Sequence, residues 1–116
     1  MRTIVVVDDH PTFRATACGL LEAEGFVVIG EAADGLGALE VIERLTPDVV
    51  LLDVQLPDID GFEVAARLAA FDSPPVIVLT SSRDARDFGS LIAESGARGF
   101  IEKAELSGEA MAALIG

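Results

Sequence analysis

The sequence predicts an α/β fold: a doubly wound, five-stranded parallel sheet with helices on both faces. Three observations lead there. Five short apolar runs rich in β-branched residues recur at Thr3–Val7, Phe26–Gly30, Val49–Leu52, Pro75–Leu79 and Arg98–Ile101, and runs apolar on both faces read as strands buried in a parallel sheet. Segments with helical spacing lie between them. Strict alternation of strand and helix implies right-handed crossovers, which place helices on both sides of one sheet.

The helical segments can be justified in order. Phe13, Ala17, Leu20 and Leu21 follow i, i+4, i+7, i+8 in the first, and Gly25 follows it. Ala38, Ile42 and Leu45 mark the second, which Thr46-Pro47 closes. Phe62, Ala66 and Ala69 stripe a third, and Phe88, Leu91 and Ile92 a fourth that Gly96 ends. Met111, Leu114 and Ile115 make a short fifth, with Ser107 placed to cap it.

At 116 residues the chain is expected to be one domain, residues 1–116. A hydrophobic fraction of 51% argues against disorder. Net charge is −12, with 20 acids against seven arginines and one lysine, Lys103. Direct nucleic-acid binding is excluded on that balance, because it relies on many cations neutralising phosphates. An acidic surface suits metal ions and basic protein partners. No apolar stretch approaches the roughly 18 residues of a membrane span, and Asp8 and Asp9 interrupt the first apolar run too early for a signal peptide. Cys18 is the only cysteine, read as a small buried side chain in a reducing compartment. The expected location is the cytoplasm.

Ligands of doubly wound sheets sit beyond the carboxyl ends of the strands. There the sequence places Asp8-Asp9 after the first strand, Asp53 after the third, Thr80 after the fourth and Glu102-Lys103 after the fifth. Clustered carboxylates repel, and compensation comes from a cation or protons. An oxygen-rich ligand set suits Mg²⁺, which takes one or two carboxylates plus phosphate oxygens. Asp53, fixed at the end of the most apolar strand, is a candidate nucleophile toward phosphorus. The metal, Lys103 and the Thr80 hydroxyl are candidates for neutralising the transferred oxygens. Each residue alone has a plainer reading: the acids as helix caps, Thr80 as a turn residue, Lys103 as a solvated surface group. Their convergence on one edge outweighs those readings.

Other motifs fail on inspection. Gly35-Leu36-Gly37 opens like a dinucleotide fingerprint, but Glu40 holds the third glycine position. Asp58-Ile59-Asp60-Gly61 resembles part of a calcium loop, but Leu56 stands where its first acid belongs. His10, the lone histidine, reads as an exposed loop residue rather than a metal ligand or phosphate relay.

The chain resembles the receiver domain of bacterial response regulators nearly from end to end. The resemblance rests on Val5-Val6-Val7-Asp8-Asp9-His10-Pro11, Pro47-Asp48-Val49-Val50-Leu51-Leu52-Asp53 and Leu56-Pro57-Asp58-Ile59-Asp60-Gly61. It continues through Val76-Ile77-Val78-Leu79-Thr80 and Gly96-Ala97-Arg98-Gly99-Phe100-Ile101-Glu102-Lys103. It implies a flavodoxin-like sheet of order 2-1-3-4-5. It implies that Asp53 becomes an aspartyl-phosphate, drawn from a phosphohistidine on a sensor histidine kinase or phosphotransfer protein. Asp9 and Asp53 would ligate Mg²⁺ directly and Asp8 partly through water, with the backbone carbonyl of Gln55 a further ligand. Thr80 would donate a hydrogen bond to the phosphoryl group and Lys103 would pair with it. Phe100 stands at the family's switch aromatic, with core packing as its competing role. The face of the fourth helix, fifth strand and fifth helix would receive a partner or a second copy. Such a domain signals; it is not an enzyme in the usual sense.

Two departures matter. Ala104 follows the lysine where the family usually has proline, so a trans peptide is expected and the aim of Lys103 is open. Asp9-His10-Pro11 resembles the branch with a helix-turn-helix output, yet no output domain lies within the 116 residues. The chain is either a stand-alone regulator or a receiver cut from something longer. Two rival functions remain. A degenerate receiver would only bind proteins. An aspartate-nucleophile phosphohydrolase would use the same fold type and Mg²⁺, but it wants an acid where Gln55 stands.

Overall fold

The computed structural model describes residues 2–116, so Met1, the first residue of the expected domain, lies outside the described residues. Five strands, β1 (Thr3–Val7), β2 (Val27–Ala32), β3 (Val49–Asp53), β4 (Val76–Ser81) and β5 (Gly99–Glu102), form one sheet of order β2-β1-β3-β4-β5. Every pairing is parallel. Helices α1 (Pro11–Ala23), α2 (Gly35–Leu45), α3 (Gly61–Leu68), α4 (Leu91–Glu94) and α5 (Gly108–Ile115) make the crossovers, with 3₁₀ turns at Ala85–Phe88 and Lys103–Glu105.

The period-two alternation of the strands divides the core. Val5, Val7, Val50, Leu52 and Leu79 face one side with Ala38 and Ile42 of α2 and Val64, Ala65 and Leu68 of α3. Ile4, Val6, Val49, Leu51 and Val78 face the other with Ala17 and Leu21 of α1 and Met111 of α5. All five residues of β3 are buried, which puts Asp53 at the tip of the most enclosed strand.

Three helices differ from expectation. In α3 the alanines of the expected stripe, Ala66 and Ala69, face solvent, and the buried set is Gly61, Val64, Ala65 and Leu68. The phase follows the larger side chains, since Val64 and Leu68 remove more apolar area from water than alanine can. Leu20 of α1 is also 36% exposed, whereas Ala17 and Leu21 are buried. The fourth helix is broken. Gly89, at φ +57°, separates the 3₁₀ turn from a four-residue α4, and a left-handed residue cannot continue a right-handed helix.

Helix ends follow local chemistry. Asp34, Asp60 and Ser107 accept N–H bonds from Gly37, Glu63 and Ala110. Asp58 reaches from the β3–α3 loop to the start of α2, accepting from Gly35 and Leu36 N–H at 2.7 and 2.8 Å. These bonds, led by that from Leu36, hold its carboxyl below the usual carboxylate range. The loop carrying Gln55 is thereby tied at both ends, since Gly61 N–H donates to the Val54 carbonyl at 2.7 Å. A Cβ on Gly61 would meet the Asp53 carbonyl oxygen at 2.5 Å and Val54 Cα at 2.8 Å. Both are backbone atoms that cannot turn aside. Gly61→Ala should therefore destabilise the fold by about 1–3 kcal/mol, the usual cost of overpacking, read from chemical denaturation. An unchanged unfolding midpoint would mean that this approach does not constrain the loop.

Candidate functional site

The carboxyl ends of β1, β3, β4 and β5 bring Asp8, Asp9, Asp53, Thr80 and Lys103 together. Asp8 and Asp53 are buried at the centre, their side chains 1% and 2% exposed. Asp53 Oδ1 accepts the Gln55 N–H at 3.0 Å, and its Oδ2 accepts from Lys103 Nζ at 3.1 Å. The same ammonium lies 2.6 Å from Asp8 Oδ2. The one ammonium is thus shared between the two buried carboxylates. The enclosed Asp9 Oδ1 lies outside the reach of that ammonium and meets the His10 ring. Asp9 is the more open of the acids, with its side chain 34% exposed.

His10 is exposed as expected, but it is not remote. Its N–H donates to Asp8 Oδ1 at 2.8 Å, and its ring Nδ1 lies 3.2 Å from Asp8 Oδ1 and 3.0 Å from Asp9 Oδ1. One ligand atom from each of Asp8, Asp9, His10 and Asp53 falls within 4.8 Å of the others. Three carboxylates gathered around one ammonium leave negative charge in excess, which a further cation or protons would answer. The donor set therefore fits a hard divalent cation.

Thr80 pairs in register with Asp53 across β3 and β4. Its buried hydroxyl donates to the Ile101 carbonyl at 2.7 Å. Phe100, next to Ile101, is half-buried with its ring 6.0 Å from that of Phe88, which in turn meets Phe62. Lys103 reaches the acids although Ala104 follows it, and the described residues contain no cis peptide.

Two neighbours in α1 were not legible as site residues. Arg14 Nη1 donates to the Asp8 carbonyl at 2.7 Å while its Nε pairs with Glu31 at 3.0 Å, which fixes the acidic loop from outside. Phe13, expected only as core, lies under the Lys103 ammonium, 4.6 Å from Nζ to the ring centroid. Local spacing carries no sign of either contact. A positively charged or aromatic residue one turn into the helix after paired acids is the only hint available.

The model of the response regulator receiver domain matches residues 4–115. The chain belongs to the response regulator receiver family. Its backbone resembles the signal receiver domain of NarL from Mycobacterium tuberculosis, with a TM-score of 0.86 at 36% identity, covering 99% of this chain and 97% of that one. A two-component response regulator of the LuxR family from an Aurantimonas species gives a TM-score of 0.86 at 31% identity, covering 99% and 86%. The DNA-binding transcriptional activator EvgA of Escherichia coli is 30% identical over 110 residues, 95% of this receiver and 54% of that protein. The chain spans about half the length of the curated relatives it matches. As a receiver it is a signalling domain rather than a classical enzyme. Among the described residues no helix is long and apolar enough to cross a membrane.

The receiver's electrostatics follow from one ammonium serving two buried carboxylates. Burial pushes the Asp53 carboxyl above its ordinary value and the Asp8 charge pushes the same way, while the Gln55 N–H and Lys103 only partly offset this. Burial opposes the charge on Lys103 too, but Asp8 and Asp53 together outweigh it and hold the ammonium above the usual lysine value. Lysine is thus over-served and Asp53 under-served. A carboxyl raised in the fold contributes stability that is full below the ordinary carboxylate range and is lost as pH rises through the raised value. Metal-free Asp53→Asn should therefore melt above wild type at neutral pH, by roughly 4–8 °C per kcal/mol of repulsion relieved. The gap should close as pH falls toward about 4. Thermal melts across pH check this, and a gap that widens in acid would reverse the sign.

Proposed function

We propose that Asp53 accepts a phosphoryl group from a phosphohistidine on a sensor histidine kinase or a phosphotransfer protein. The observation that carries the reading is the state of Asp53: a buried carboxylate at the tip of the central strand, fixed by the Gln55 N–H and faced by Lys103. In the transfer a carboxylate oxygen of Asp53 forms the O–P bond, the P–N bond to the donor imidazole breaks, and the imidazole takes up a proton. Lys103 neutralises phosphoryl oxygen in place of the carboxylate charge it now answers. Asp8, Asp9, Asp53 and the Gln55 backbone carbonyl would hold Mg²⁺, which when bound screens the charge of the transferring group. The clustering of Asp8, Asp9 and Asp53 oxygens, in excess of the one ammonium, supports that assignment. We read the chain as a cytoplasmic receiver that folds as one unit.

The phosphoryl group is read through Thr80. Its hydroxyl leaves the Ile101 carbonyl for the new oxygens, which frees the segment beside Phe100 and reshapes the face of α4, β5 and α5. There a partner protein or a second copy docks. The names of the relatives support an output in transcription, with the DNA contacts outside these acidic residues, since a net charge of −12 repels phosphate.

Acetyl phosphate with Mg²⁺ should add one phosphoryl mass to the intact protein, and Asp53→Asn should abolish the gain. Undiminished labelling of that variant would move the acceptor elsewhere, and no labelling of wild type would favour a receiver that only binds proteins. For the switch, partner affinity or self-association with and without beryllofluoride should be compared in wild type, Thr80→Ala, Phe100→Ala and the double mutant. Coupling of at least about 0.5 kcal/mol is expected, and additive effects would return Phe100 to plain packing.

A further inference from the structure

We infer that Phe13 is a positioning residue for Lys103, holding the ammonium over its ring face and so against Asp8 and Asp53. Nζ lies 4.6 Å from the ring centroid, inside the roughly 6 Å at which a ring's negative face attracts a cation. The lysine side chain is only 13% exposed, so the ring forms part of its enclosure. Lys103 opens a 3₁₀ turn, Ala104 follows it in a trans peptide, and Glu102 and Glu105 flank it as rival anions.

The geometry divides the work. Asp8 Oδ2 at 2.6 Å and Asp53 Oδ2 at 3.1 Å draw the ammonium from one side, and the ring closes another with an apolar surface that still favours positive charge. Water is kept from that side, which strengthens the ion pairs. A leucine would fill the space without attracting the charge. A flexible four-carbon chain is then free to swing toward Glu102 or Glu105. The effect on phosphoryl transfer rests on the reading of Asp53 as acceptor; the placement of Lys103 does not.

Lys103 is the only lysine in the chain, so protein labelled with ¹³C-lysine gives a single ε-methylene signal, displaced by the ring current when it lies over an aromatic face. Phe13 should be replaced by its 3,5-difluoro and pentafluoro analogues, which keep the shape while removing the negative face, and by leucine. The lysine signal should move stepwise toward that of free lysine. The acetyl-phosphate labelling rate should fall in the same order, by about tenfold in Phe13→Leu. In a Lys103→Met background the rate should no longer respond to position 13. A signal and rate unchanged along the fluorinated series would overturn the proposal and leave Phe13 as packing. If wild type takes no label while the lysine signal follows the series, the acceptor reading fails and the positioning role stands.

Discussion

Three carboxylates gathered at one end of a sheet, with one ammonium among them, set the terms for everything else in this domain. Like charges held this close are unfavourable unless other groups answer them. The burial of Asp8 and Asp53 removes the water that would otherwise do so. Lys103 is shared between two of the acids, and Asp9 lies beyond it with the His10 ring against its enclosed oxygen. Such a site is held together by its scaffold rather than by its own contacts. It has a standing preference for cations, and a phosphoryl group brought in with a cation changes its charge balance more than any neutral ligand could.

The scaffold can bear this because the acids sit on its stiffest parts. β1 and β3 lie side by side at the middle of the sheet, with Ile4 to Val7 and Val49 to Leu52 all enclosed. Around them, smaller devices keep the loops in place: Arg14 on the Asp8 carbonyl, Asp58 on the start of α2, and Gly61 against the Asp53 backbone. None of the three touches the reacting atoms. Each limits how far the acids can move apart to relieve their repulsion, which is how a fold stores a charge imbalance instead of relaxing it.

Much of this was legible in the sequence, for a physical reason. Buried parallel strands demand continuous β-branched runs, and Thr3–Val7 reads as a strand with the bounds it has. A carboxylate that ends such a run can only lie at the sheet edge, so Asp8, Asp9 and Asp53 could be placed together. The third helix was less legible because alanine is apolar yet contributes little on burial; Ala66 and Ala69 suggested a stripe that Val64 and Leu68 set instead. The fourth was misread because Phe88, Leu91 and Ile92 keep helical spacing across Gly89, and spacing does not report a positive φ. Phe13 and His10 were seen as core and as loop. Their second roles depend on residues brought near by the crossover topology, which local pattern does not encode.

The broken helix has a consequence for how the domain moves. A helix of four residues leaves most of its amides without an intrahelical partner, and its first residue, Leu91, is 50% exposed. Amide exchange with solvent should therefore be fast from Ala85 to Glu94 and slow along β1 and β3, because the former holds no fully buried residue while the strands are enclosed. The domain joins a rigid chemical end to a soft flank. The face bordering Phe100 adjoins that soft flank, where a rearrangement would disturb less of the core than one along β1 and β3.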